Sequence, residues 1–336
     1  MKKDMLKNSE AVPIYKHKTG HEYQFALDFW EKHDKMVWHY DEVPLEKDFK
    51  DFKEASLEEQ KFITNVMKLF TQNEIMVGAG YDALCRAIKN PDILYMLRSF
   101  NDRESTHVRA YSLFTETIGL EDSVYTDFLK EPLMAAKTEY LQKAKIKKFE
   151  DYLKDWLSLE EVDNAYRSDL AKMIAVYAGG TELISLFAQF AMLIKYQSQN
   201  KYPGLCTIVE WSIKDEYTHG QGNTALFKNF IAENKHLWND ELKRDITKAI
   251  DEIVQYELAL VDYFEPPHMN PQDCKDYIMY QADNALDGLG LERQYGIEIN
   301  PLPYMDEFTS VVLQDFFTGV VTEYGVEITG SREDLR

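Results

Sequence analysis

The chain has 336 residues and a formal charge of −20, with 45% hydrophobic and 13% aromatic side chains. That apolar content excludes a disordered chain, and the length allows a full buried core. The acidic balance argues against a general nucleic-acid binder and against a peripheral protein on anionic membrane.

Cys85, Cys206 and Cys274 are far apart and form no Cys-x-x-Cys pair. A zinc ribbon or a redox dithiol is therefore not expected, and a reducing, cytoplasmic setting is. Met1-Lys2-Lys3-Asp4 has no apolar stretch behind it, so no signal peptide is expected. The longest apolar run, Leu183 to Ile194, is interrupted by Gln189 and falls short of the about 20 residues that span a bilayer. No membrane contact is expected.

Between Pro44 and Pro203 only Pro91 and Pro132 occur, and good helix formers fill the intervals. No alternation of apolar and polar residues lasts long enough for a sheet. The pattern predicts an all-α fold with long helices. Ser56-Leu57-Glu58-Glu59 is a capping box that starts a helix running to about Lys89. Asn90-Pro91 starts the next, to about Gly119. Further helices are expected near 122–145, 162–198, 204–233, 239–263 and 271–288. Pro301 and Pro303 precede a last short helix. Residues 1–316 read as one helical domain and 317–336 as a mobile tail.

Acidic residues interrupt several apolar faces. On the helix after Asn90, the residues Ile93, Leu97, Phe100, Glu104, His107 and Tyr111 form one stripe. Val66, Phe70 and Glu74 share a face on the preceding helix. Ile174, Ala178 and Glu182 do the same further on, as do Ile208, Ser212, Glu216 and His219. A buried carboxylate needs a partner or a metal. Taken singly, each such Glu is more often paired with Arg or Lys, and a lone His on an apolar face is more often a core residue.

Spacing changes that balance. Glu-x-x-His occurs four times, at Glu104/His107, Glu216/His219, Glu233/His236 and Glu265/His268. Pro266-Pro267 excludes regular helix from the last, and Glu233/His236 reads as solvated surface. Glu74 lies 15 residues before Lys89 and Glu104 lies 14 after Asn90, so a hairpin returns them to one level. Glu182 and Glu216 flank the 198–204 loop in the same way. Two similar half-sites result, 74/104/107 and 182/216/219. That is the ligand set of dinuclear iron or manganese carboxylate proteins on ferritin-like bundles. Four carboxylates and two imidazoles suit iron or manganese better than structural zinc. Tyr111 stands one turn after His107, with its phenol near the metals, and Phe190 and Leu186 are placed to wall it from water.

The chain here resembles the small, radical-generating subunit of class I ribonucleotide reductase, over roughly residues 22–328. The resemblance rests on Glu104-Ser105-Thr106-His107 with Tyr111, on Glu182 before an apolar run, and on Trp211 through His219. Met36-Val37-Trp38 with Glu42-Val43, and Asn300-Pro301-Leu302-Pro303, add to it. It implies that Glu74, Glu104, His107, Glu182, Glu216 and His219 bind the metals and that Tyr111 holds a stable radical. It implies that Trp38 is an electron relay, linked by Asp215 to a metal-bound His. It implies that Tyr324, in the tail, passes the radical equivalent to a catalytic large subunit on which the tail docks. A homodimer and an iron pair are expected from it, with manganese–iron or dimanganese as alternatives. The first ligand is Glu74 where many members have Asp, a choice familiar in manganese–iron branches. The tail ends without the terminal aromatic that many members show. The rivals are a manganese–iron ligand-binding oxidase of the same superfamily, an iron-storage protein, and an interaction protein with a decayed site. The 336-residue length argues against the second, and six intact ligands argue against the third.

Overall fold

The structure is a computed structural model that describes residues 4–6, 21–141 and 163–309. Among them there is no strand. Tyr324 and the expected tail at 317–336 lie outside the described residues, as do Met1 to Lys3 and the end of the helix expected at 122–145.

Two long hairpins carry the fold. In the first, α3 (Leu57–Ala87) packs on α4 (Pro91–Thr117). Ser56 Oγ accepts from the Glu59 amide, and Asn90 Oδ1 accepts from the amides of Asp92 and Ile93. These bonds satisfy N–H groups that each helix start leaves open. In the second, one continuous rod runs from α7 (Asn164–Ala175) through a π-helical stretch, Val176–Ser185, into α8 (Leu186–Ile194). It packs against α9 (Pro203–Glu233). Two earlier helices, α1 (Gln24–Asp34) and α2 (Glu46–Glu54), were not foreseen; α1 lies on α4 and α9, and α2 lies on α9. They are short, and α2 is mostly charged, so periodicity gives little warning of them. Asp48 of α2 caps α9 from outside, accepting from the amides of Gly204 at 3.0 Å and Leu205 at 2.7 Å.

The helix expected at 122–145 is broken. It divides into α5 (Ser123–Asp127), a 3-10 turn at Phe128–Lys130 and α6 (Pro132–Leu141). Pro132 cannot extend a helix from its N-terminal side and instead starts a new one. The helices α10 (Asp240–Phe264) and α11 (Pro271–Gly288) fall where expected and cover the π stretch. A short helix at 305–309 follows Pro303.

The rod Asn164–Gln199 is long and apolar enough to cross a membrane by length and composition, yet 94% of its most apolar window is buried inside the bundle. It is the core helix. Gly80 lets it approach α3: a Cβ there would lie 1.3 Å from the Tyr177 hydroxyl. Away from the acidic centre, one buried ion pair ties the outer helices inward. Lys137 Nζ of α6 donates to Glu257 Oε1 of α10, and Gln189 Nε2 of α8 donates to Glu257 Oε2 at 2.7 Å. Removing one member leaves a buried charge alone. Lys137→Met is expected to cost about 3–5 kcal/mol, and adding Glu257→Leu should restore most of that loss. Urea denaturation of both variants checks this, and equal instability of single and double variants would refute it.

Candidate metal centre

The apolar stripes deliver their acidic residues to one place. Glu74 from α3, Glu104 and His107 from α4, Glu182 from the π stretch, and Glu216 and His219 from α9 are all buried. They form two overlapping groups. Glu74, Glu104, His107 and Glu216 offer ligand atoms within 4.8 Å of one another, and so do Glu104, Glu182, Glu216 and His219. The spacing argument placed the six in two separate half-sites; the fold makes the halves share Glu104 and Glu216.

Sharing follows from how the oxygens divide. Glu216 sends Oε1 to His107 Nδ1 at 2.8 Å and Oε2 to His219 Nδ1 at 2.9 Å. Glu104 sends Oε2 to His107 Nδ1 at 3.4 Å and Oε1 to His219 Nδ1 at 3.1 Å. Each thus faces both imidazoles and belongs to both groups, while Glu74 belongs to one and Glu182 to the other. Seven buried atoms in this cluster meet each other only as close charged contacts and lie in no well-formed hydrogen bond: both oxygens of Glu74 and of Glu104, His107 Nδ1, Glu182 Oε2 and Glu216 Oε1. Buried polar atoms are seldom left so. All belong to hard oxygen or imidazole donors, and two divalent cations match that set.

Charge crowding is visible in the protonation directions. Burial, reinforced by the Glu216 carboxylate, pushes Glu74 and Glu182 well above the usual carboxylate range. Burial also opposes charge on Glu216, but His219 and His107 outweigh it and hold this carboxyl well below its usual range. Burial disfavours charged His219, yet Glu216 and Glu104 push it up to about 9.

Behind the imidazoles lies a second layer. Asp215 Oδ2 accepts from Trp38 Nε1 at 2.7 Å and lies 3.2 Å from His107 Nε2. With Nδ1 of His107 facing the carboxylates, Nε2 carries the hydrogen and donates to Asp215. Burial raises the Asp215 carboxyl, but the Arg103 guanidinium, 3.6 Å away, and the His107 bond bring it below its ordinary value. The Trp38 ring stacks on His107 at 5.8 Å and meets Trp211 at 5.2 Å. His219 Nε2 lies 3.1 Å from His33 Nε2, and His33 Nδ1 lies 2.7 Å from Ser99 Oγ.

Tyr111 is fully buried, and its hydroxyl donates to Ser212 Oγ at 2.9 Å. Burial pushes its phenol far above the ordinary value. Phe70, which the sequence reading did not place in the wall, stacks on Tyr111 at 4.7 Å, and Phe190 stacks on Phe70 at 5.3 Å. Leu186 is buried as well. Tyr324 is outside the described residues, so the geometry leaves it unplaced.

Four contributors escaped the sequence reading: His33, Tyr81, Arg103 and Asn223. Tyr81 and Asn223 carried a usable signal, since they lie two turns after Glu74 and one turn after His219 on the same helix faces. His33 carried none, because its partner is 186 residues away. One dismissed pair also needs correction. Glu233 is not simply solvated: it accepts from the Tyr23 hydroxyl and from the Met5 amide, tying residues 4–6 to the end of α9. His236 is exposed as expected. If the centre takes divalent ions, each should add about 2.7 kcal/mol of stability at a hundredfold excess over its Kd. For a chain of this length that raises the melting temperature by roughly 4 °C per ion. Calorimetry with Mn(II) and with a chelator tests it, and an unchanged melting temperature would count against metal binding.

The family model for the ribonucleotide reductase small chain matches residues 19–301. A probable ribonucleoside-diphosphate reductase small subunit of Invertebrate iridescent virus 6 is 32% identical, with 88% of this chain and 89% of that protein covered. The ribonucleoside-diphosphate reductase subunit beta of Chlamydia pneumoniae is 25% identical, with 94% and 90% covered. Among solved structures, the ribonucleotide reductase R2 subunit from Clostridium botulinum shares the fold with a TM-score of 0.76 at 20% identity, covering 86% of this chain and 89% of that one. With its buried carboxylate–histidine cluster on a helical bundle, the chain belongs to the ribonucleotide reductase small-chain family.

Proposed function

We propose that this chain is the radical-generating small subunit of a ribonucleoside-diphosphate reductase, active only with a catalytic large subunit. The observation that carries this is the unbroken contact line Trp38–Asp215–His107 on one side of a two-position carboxylate centre, with Tyr111 sealed in an aromatic wall nearby. A storage site needs neither feature.

Glu74, Glu104, His107, Glu182, Glu216 and His219 hold the ions, an iron pair on this reading, with manganese–iron or dimanganese as the alternatives. When bound, the metals supply the oxidising power that dioxygen provides. The protein does the rest. Tyr111 gives up one electron and its phenolic proton, and the Ser212 hydroxyl marks the side on which that proton leaves. Phe70, Phe190 and Leu186 exclude water and stray reductants, so the oxidised ring persists. Asp215 fixes the His107 ring and couples it to Trp38, which gives an electron a short route across the site's edge. Tyr324 and the 317–336 tail carry the route to the large subunit, on which the tail docks. The small subunit acts as a homodimer. Cys85, Cys206 and Cys274 are free thiols, in keeping with the reducing cytoplasm we assign to it.

Aerobic loading with iron should give about two ions per chain, as the two ligand groups require, and a tyrosyl electron paramagnetic resonance doublet. Two ions without the doublet would move the oxidant to the metals and favour an oxidase. Tyr111→Phe should keep the ions and lose both the doublet and nucleotide reduction; full activity would remove Tyr111 from the mechanism. Ser212→Ala should keep the radical but shift its g-values to those of a phenoxyl without a hydrogen bond, and unchanged g-values would show that Ser212 does not serve it. Tyr324→Phe should keep the doublet and block turnover, and an active variant would take Tyr324 off the route.

A further inference from the structure

The two terminal carboxylates of the centre are held differently. Neither oxygen of Glu74 is held by a donor from outside the cluster. Glu182 is gripped: Tyr81 donates its hydroxyl to Glu182 Oε1 at 2.6 Å, and Asn223 Nδ2 donates to the Tyr81 oxygen at 2.8 Å. With a cation keeping Glu182 ionised, a phenol–carboxylate bond of this length is charge-assisted and strong.

Tyr81 has little freedom to let go. It is fully buried. Its ring stands edge-on to Phe100 at 6.1 Å, to Tyr177 at 5.9 Å and to His219 at 5.9 Å. Asn223 is also fully buried, one turn after His219 on α9. Only Oε2 of Glu182 is left without a partner, and it faces His219 Nδ1 at 4.0 Å.

We propose that Tyr81, backed by Asn223, is a positioning residue that restricts Glu182 to one metal-binding oxygen. The ion beside His219 then keeps an open coordination position for a small external ligand. The ion beside His107 is the more crowded of the two, because Glu74 has both oxygens to give it. Such a difference matters in a dinuclear site, where an open position decides which ion an incoming molecule meets. The inference rests on the six residues forming a dinuclear centre and is independent of any radical chemistry.

The test uses the full chain loaded with Co(II), and azide as the small ligand. Wild-type protein should take two Co(II) and bind azide with a change in its visible bands. In Tyr81→Phe, Glu182 is free to chelate through both oxygens. Two Co(II) should still bind, the band intensity per ion should fall as coordination number rises, and azide affinity should drop about tenfold, or about 1.4 kcal/mol. Asn223→Ala, which loosens the phenol and leaves its ring in place, should shift both readouts the same way by less. A Tyr81→Phe protein that melts earlier but keeps wild-type bands and azide affinity would reduce Tyr81 to a packing role and overturn the proposal. If Tyr81→Phe does not fold, unchanged bands in Asn223→Ala overturn it. Wild-type protein that fails to take two Co(II) would instead sink the dinuclear reading itself.

Discussion

Four carboxylates converge at the centre of a core that excludes water, and their mutual repulsion is the constraint from which the surrounding structure takes its shape. Each buried charge costs several kcal/mol unless it is compensated. Two imidazoles supply part of the compensation, and they hold Glu216, which lies against both, well below its normal range. The rest falls to cations in the cluster and to groups outside it. Asp215, His33 and Tyr81 each take one outward-facing atom of a ligand and fix it. The centre is a set of donors turned inward because their other faces are occupied.

The helices are arranged to hold those donors level. Two hairpins with caps at their starts set the height of Glu74 against Glu104 and of Glu182 against Glu216. Glycines permit the close approach that hydrogen-bond distances demand. Gly80 leaves room for the Tyr177 ring, and at Gly222 a Cβ would lie 2.8 Å from the Phe100 ring that packs on His219. The aromatic packing then separates two regions by chemistry: a polar line through Trp38, Asp215 and His107, and a dry, apolar pocket around Tyr111.

The helical class and all six cluster residues could be read from the chain, because a carboxylate inside an apolar stripe at helical spacing is a physical contradiction that only a partner resolves. Trp38 and Asp215 were legible only through the family resemblance; nothing local marks a tryptophan as the neighbour of an aspartate 177 residues away. The sharing of Glu104 and Glu216 between positions was not legible at all, since side-chain direction across two hairpins is set by packing rather than by period. The helix break at Pro132 was legible and was missed, as a strong run of helix formers outweighed one imino acid. His33 could not have been found, because α1 meets α9 only in the folded chain.

The π-helical stretch carries a consequence of its own. Its wide turns place Glu182 within a segment whose rotation about the rod axis differs from that of an α-helix of the same length. A deletion of one residue between Val176 and Thr181, with the wide turns kept, would bring Glu182 one step back around the rod. One step in an α-helix is about 100°, and Glu182 would turn by most of that relative to α7. The rod would remain apolar and buried, yet its buried carboxylate would point elsewhere. In this chain, then, the length of a helix segment, and not only the identity of its residues, is a condition for keeping the centre. Among relatives that retain Glu182, insertions and deletions should be scarcest between Val176 and Glu182, where a tally of apolar residues would find nothing to protect.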